Sequence, residues 1–163
     1  MNITIDSLKA EDWPAAAGIF RQGINSGIST FETEPPNWDQ FDLNHLTCCR
    51  FAARVKGKLS GWAALSPISR RKAYEGVAEV SIYISEHERG NGIGSKLMQS
   101  IMMGAPSHNL WTLQAVIFPE NKASFRLHHK FGFRLVGYRE KISINKWGAW
   151  QDTLLMEHRF STN

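Results

Sequence analysis

Arg89-Gly90-Asn91-Gly92-Ile93-Gly94-Ser95 places three glycines at alternate positions in mid-chain. It stands between the apolar run Val80-Ser81-Ile82-Tyr83-Ile84 and a helical segment over residues 96–103. Glycines at alternate positions let a backbone turn sharply and expose its N–H groups with no side chain in the way. A helix starting directly afterwards adds the unsatisfied donors and the positive dipole end of its first turn. A strand, a glycine turn and a helix N-terminus in succession make a seat for a phosphate or pyrophosphate. Taken alone, the same glycines serve equally well as a tight strand-to-helix connection.

Upstream, residues 3–5 read as a short strand. Asp12-Trp13-Pro14 reads as a helix start, with Asp12 as cap and Pro14 in the first turn. Trp13, Ala16, Ala17, Phe20 and Ile24 then recur at helical spacing, and Gly23 and Gly27 mark a weakening end. Pro35-Pro36 closes a loop over residues 29–36, and residues 38–46 read as a second helix. Residues 51–55 and 59–65 form a hairpin around Lys56-Gly57-Lys58. A basic loop, residues 66–76, leads into a central strand at 77–85.

Downstream of the glycine turn, a helix over residues 92–103 is followed by a second central strand at 111–118. Asn121 caps a helix that runs to Lys130, and Gly132 supplies a left-handed stop. Residues 133–144 and 149–160 are closing strands around the turn at 145–148. The order β-α-α-β-β-β-α-β-α-β-β predicts an α+β fold, an α/β sandwich with helices on the faces of a mixed sheet.

The chain has 163 residues, 42% hydrophobic and 21% charged, which fits one globular domain over residues 1–163. No apolar run is long enough to span a bilayer, and the N-terminus has no basic-then-apolar leader. The expectation is a cytoplasmic protein that does not engage a membrane. The formal charge of +4 points to anionic partners. The basic residues are dispersed apart from Arg70-Arg71-Lys72, so a small anion fits better than nucleic acid. Cys48 and Cys49 are adjacent, which does not suit a disulfide, and no Cys-x-x-Cys accompanies them. They read as buried or half-buried spectators, with no metal expected.

Two phosphate loops fail on spacing. A nucleoside-triphosphate loop needs Gly-x-x-x-x-Gly-Lys-Ser/Thr, and a dinucleotide fingerprint needs Gly-x-Gly-x-x-Gly. The pattern carried by Arg89, Gly92 and Gly94 is instead Arg/Gln-x-x-Gly-x-Gly/Ala. It resembles motif A of the GNAT N-acetyltransferase superfamily. Asn121-x-x-Ser124-x-x-Leu127-His128-x-x-x-Gly132-Phe133 is similar to the superfamily's motif B. Within it, Thr33-Glu34-Pro35, Arg71-x-Ala73-Tyr74, the strand from Ala78 to Ile84 and Trp150-x-Asp152 resemble the phosphinothricin and methionine sulfoximine N-acetyltransferase group.

The resemblance implies a mostly antiparallel sheet with two central strands splayed apart. It implies acetyl-CoA as co-substrate, its pantetheine paired with the backbone of Ile82, Tyr83 and Ile84. Its pyrophosphate would be held by Gly90, Asn91, Gly92, Ile93, Gly94 and Ser95, with Arg89 adding charge and Asn121 contacting the coenzyme. The acceptor would be the amino group of a small amino acid or analogue, with Arg71 and Tyr74 on the substrate side. Phe31, Glu32, Trp147 and Trp150 would shape the pocket, and the closing hairpin would make a homodimer.

Acetyl transfer needs a neutral amine, and general-base assistance is worth about 10²–10⁴ in rate. Glu79 is the candidate base. It lies in an apolar strand where a carboxylate is costly, and strand alternation puts it with Ser81 and Tyr83 on one face. A carboxylate paired with Arg70, Arg71 or Lys72 is the competing reading. Relatives often carry Tyr where this chain has His128, which leaves the general acid open. Other functions considered are acetylation of peptide or protein amines or polyamines, and a non-catalytic coenzyme A-binding regulator.

Overall fold

A computed structural model describes residues 2–161; Met1, Thr162 and Asn163, the ends of the predicted domain, lie outside the described residues. The elements follow the predicted order: β1 (Ile3–Ser7), α1 (Trp13–Ser26), α2 (Trp38–Asn44), β2 (Phe51–Val55), β3 (Lys58–Pro67), β4 (Val77–Ile84), α3 (Ile93–Gly104), β5 (Thr112–Ile117), α4 (Lys122–Lys130), β6 (Arg134–Ile144) and β7 (Trp150–Arg159). The strands form one sheet in the order β1-β2-β3-β4-β5-β7-β6. Every pair is antiparallel except β4 with β5. The α+β expectation, a mixed and mostly antiparallel sheet between helices, therefore holds. Among the described residues, no helix is long and apolar enough to cross a membrane.

β3 is buried from Leu59 to Leu65, because helices cover both faces of the sheet there. Ala63 and Leu65 point to one core with Leu97, Ile101, Leu113 and Met156 around α3. Trp62 and Ala64 point to the other, where Trp13, Phe20 and Phe41 project from α1 and α2. The Trp62 indole satisfies its buried N–H by donating to Ala16 O at 3.0 Å. Edge strand β6, by contrast, leaves Leu135, Val136, Tyr138, Ile142 and Ile144 exposed.

Three local expectations need correction. Asp12 begins α1 but its side chain makes no cap bond; its carboxylate instead accepts from Lys9 N and from Arg54, at 3.0 and 2.9 Å. α2 ends at Asn44 rather than Leu46 because Leu46 N donates to Leu65 O at 2.8 Å, tying it to β3. Gly23 is no weak end of α1. It is buried, and a Cβ there would lie 2.7 Å from the Tyr83 ring, so glycine lets α1 approach β4.

Candidate active site

The parallel pair is short. Val77, Ala78 and Glu79 pair with Thr112, Leu113 and Gln114, and the register then stops. Beyond it β4 stays on β3 as far as Ile84 opposite Gly61, and β5 stays on β7 as far as Ile117 opposite Leu154. Each strand follows its outer partner, so the sheet opens along its middle. The opening is a cavity of about 900 Å³. Residues 80–84 form one wall and residues 115–118 the other; Asn121, Ser124, Leu127 and His128 of the α4 segment also line it. Backbone groups of β4 not directed at β3 face this slot, and an extended ligand adds to such an edge as a strand would.

At one end lies the glycine turn. Gly90 and Gly92 have φ of 80° and 85°, the left-handed region that glycine enters without steric penalty. The hydrogen-bond ladder of α3 starts with Lys96 N donating to Gly92 O at 3.1 Å. The N–H groups of Ile93, Gly94 and Ser95 precede that bond and project from the helix end. A Cβ on Gly94 would lie 3.0 Å from Ile84 Cδ1 and 3.3 Å from Leu127 Cδ2, so glycine lets α3 close on β4 and α4. Arg89 and Gly90 line the cavity. Asn91 donates to Glu88 at 3.1 Å. Lys130 Nζ donates to Ser95 Oγ at 3.1 Å and so brings to the turn a second cation, 35 residues away in sequence. Asn121 caps α4, its Oδ1 accepting from Ser124 N at 3.1 Å, and also lines the cavity.

Glu79 sits where the pairing ends. Its carboxylate is half-buried and accepts from Gln114 Nε2 at 3.3 Å. Burial raises its pKa above the ordinary carboxylate value, opposed by the Gln114 bond and the charge of Arg139. Among the described residues, Arg70, Arg71 and Lys72 form no ion pair with it. The cation that bears on it comes from β6, out of reach of sequence spacing. Tyr83, on the same face, packs its ring 4.6 Å from that of Phe20 and 5.0 Å from that of Trp62. Burial raises its phenol pKa, against a hydrogen bond with Thr30.

The loop after α1 and one side of α2 close the other end. Phe31 packs on Phe118 at 4.7 Å, and Glu32 and Glu34 line the cavity, Glu34 pairing with Arg21 at 2.8 Å. Gln40, Phe41, Asn44 and His45 also line it. No spacing in the sequence marks these α2 residues. Burial and the Arg50 charge lower the His45 pKa, against a bond to Phe41 O. His128 is buried with Nδ1 2.8 Å from Ser124 O. A carbonyl only accepts, so Nδ1 carries the proton and Nε2 a lone pair. Burial lowers the pKa of this ring despite the Ser124 bond. In that neutral state its ε-nitrogen is an acceptor, not an acid.

Arg71 and Tyr74 do not wall the cavity. Both are exposed, with the Arg71 guanidinium 5.5 Å over the Tyr74 ring. Trp147 and Trp150 also stand outside it. Trp147 lies over Gly27, where a Cβ would be 1.7 Å from its ring, and Lys146 Nζ donates to Ile24 O and Asn25 O at 3.3 and 3.2 Å. The β6–β7 turn thus straps the end of α1.

A sheet split at its parallel pair, with a glycine turn and a helix N-terminus following the split strand, is the arrangement that the acetyltransferase resemblance implies. The acetyltransferase (GNAT) family model matches residues 11–133, and the chain belongs to that family. It is 29% identical over 163 residues to the L-methionine sulfoximine/L-methionine sulfone acetyltransferase of Pseudomonas aeruginosa, covering 96% of this chain and 94% of that one. It is 29% identical over 155 residues to the phosphinothricin N-acetyltransferase of Streptomyces coelicolor, covering 90% of each. Among solved structures, a GNAT superfamily phosphinothricin acetyltransferase from Sinorhizobium meliloti in complex with AcCoA superposes with a TM-score of 0.88. That pair shares 28% identity over 98% of this chain and 89% of that one.

Proposed function

We propose that this chain, as one domain over residues 1–163, transfers the acetyl group of acetyl-CoA to the amino group of a small amino acid or analogue of the phosphinothricin or methionine sulfoximine type. The observation that carries the reading is the end of β4–β5 pairing at Glu79 opposite Gln114. It opens a strand edge for an extended coenzyme and leaves a carboxylate at the point of opening. When bound, acetyl-CoA supplies the activated acyl group. The glycine turn and the N-terminus of α3 hold its diphosphate, with Arg89 and Lys130 as neighbouring cations, and Ile82, Tyr83 and Ile84 orient its chain.

Glu79 takes a proton from the substrate ammonium, directly or through one water, so that a neutral amine attacks. Burial makes it a stronger base than a solvated carboxylate. Glu32 and Glu79 give the acceptor end a negative field suited to an ammonium, while Glu34 is paired with Arg21. Arg71 and Tyr74 are proposed for the substrate's acidic group. Their loop leaves the cavity wall at Ser66, so they reach substrate by loop movement or from a neighbouring copy. The apolar side chains exposed on the closing hairpin support a homodimer, in the cytoplasm.

A panel of amines with acetyl-CoA and free-thiol detection tests the activity. Methionine sulfoximine, phosphinothricin and ordinary amino acids are compared with peptide amines. Thiol release with the two analogues is expected. Release only with peptides, or no heat on calorimetric titration with acetyl-CoA, overturns the reading.

A further inference from the structure

At the C-terminal end of α3, far from the glycine turn, the loop between α2 and β2 carries Cys48 and Cys49. Cys49 is buried and adopts a φ of 56°, a left-handed conformation that a residue with a Cβ avoids. Its Sγ would lie 3.1 Å from a Cβ at position 104, so Gly104 is what admits the thiol. Just beyond α3, His108 places Nδ1 3.0 Å from Gly104 O. One ligand atom from each of Cys48, Cys49 and His108 lies within 4.8 Å of the other two. None of the three lines the catalytic cavity.

We propose that Cys48, Cys49 and His108 form a site for a thiophilic divalent cation of the zinc class, with a fourth position left to water. The donor set is the soft sulfur and imidazole combination that such ions select. Zinc–sulfur and zinc–nitrogen bonds of about 2.3 and 2.0–2.1 Å in a tetrahedron place the donors about 3.5–3.8 Å apart. Closing the cluster around an ion therefore takes side-chain movements of about 1 Å or less. The bond from His108 Nδ1 to a backbone carbonyl is the second contact that orients a ligating histidine, and since a carbonyl only accepts, it leaves the lone pair on Nε2.

A dication replaces one proton on each cysteine: Zn²⁺ and two thiols give a neutral dithiolate complex and two released protons, while His108 gives a lone pair and loses nothing. A neutral complex suits a half-buried site better than a lone thiolate does. The spacing rule for zinc motifs misses the cluster because its third donor lies on the far side of α3. The ion would fasten the α2–β2 loop, and with it the α2 residues that close the cavity, to the end of α3.

Reduced protein stripped by a chelator is titrated with cobalt(II), and the cobalt is then displaced by zinc. One equivalent should bind with sulfur-to-cobalt charge-transfer absorption and the visible bands of tetrahedral cobalt, all lost on adding zinc. Cys48→Ser and His108→Gln change partly exposed or exposed residues, and circular dichroism checks that both fold. Each should weaken cobalt binding at least about tenfold, since even second-contact losses cost that much. Absence of charge-transfer absorption at saturating cobalt, or a loss below about tenfold in either variant, overturns the proposal.

Discussion

Replacing Glu79 with glutamine separates the charge of this side chain from its shape. Glutamine keeps the length and an acceptor oxygen for Gln114, whose Nε2 lies 3.3 Å from Glu79 Oε1. The slot and the glycine turn are built from other residues, so acetyl-CoA should bind within a few-fold of the wild-type affinity. Loss of a general base costs about 10²–10⁴ in rate, or about 2.7–5.4 kcal/mol of transition-state stabilisation. Turnover with the amine should fall by that factor. Stability should move the other way. Burial raises the native pKa of Glu79 above its unfolded value. Its favourable contribution is therefore complete below the unfolded pKa and lost as pH rises through the native one. Above the native pKa ionised Glu79 burdens the fold, and glutamine should raise Tm there, the advantage shrinking as pH falls below it. Initial rates by thiol release, acetyl-CoA calorimetry and thermal melts at two pH values give the three readouts. Turnover within a few-fold of wild type would refute the role of Glu79.

Three further outcomes are expected. Gly92→Ala forces a Cβ into φ 85° and should weaken acetyl-CoA binding seen by calorimetry, with a fold cost of about 1–2 kcal/mol. Leu113→Ala, at a site with no exposed surface between β4 and β7, should cost about 2–5 kcal/mol in urea unfolding. The proposed homodimer predicts a dimeric mass for the wild type in solution scattering and a monomeric one for Tyr138→Glu combined with Ile142→Glu, which places charge on the exposed hairpin face; a monomeric wild type would refute the dimer, and an unchanged dimeric mass would move the interface elsewhere.

Periodicity made the fold legible. Alternation along β4 placed Glu79, Ser81 and Tyr83 opposite Val80, Ile82 and Ile84, and helix stripes located α1 and α3. Glycines at 90, 92 and 94 located the turn because positive φ and close approach leave a mark in sequence. What escaped depends on contacts between distant segments. Nothing near Glu79 announces Gln114 or Arg139, and nothing near Ser95 announces Lys130. Asp12 looked like a cap because its local setting is right, and Arg54 claims it only after β2 is in place. Arg71 and Tyr74 mark a motif, yet the backbone after Ser66 carries them away from the cavity walls. Residues of α2 at the acceptor end follow from the packing of Phe41 against Trp13 and Trp62, a property of the assembled core.

The strap from the hairpin to α1 also orders events during synthesis. Lys146 bonds to the carbonyl of a residue 122 positions earlier. A nascent chain can pair β1 to β4 well before Lys146 leaves the ribosome, but β7, which lies between β5 and β6, and the strap on the end of α1 both come later. Non-local closures of this kind come late because their loop entropy must be met first. A chain stalled before its final hairpin would therefore lack both the strand that holds β5 in place and the anchor on the end of α1, leaving the slot with only its β4 wall.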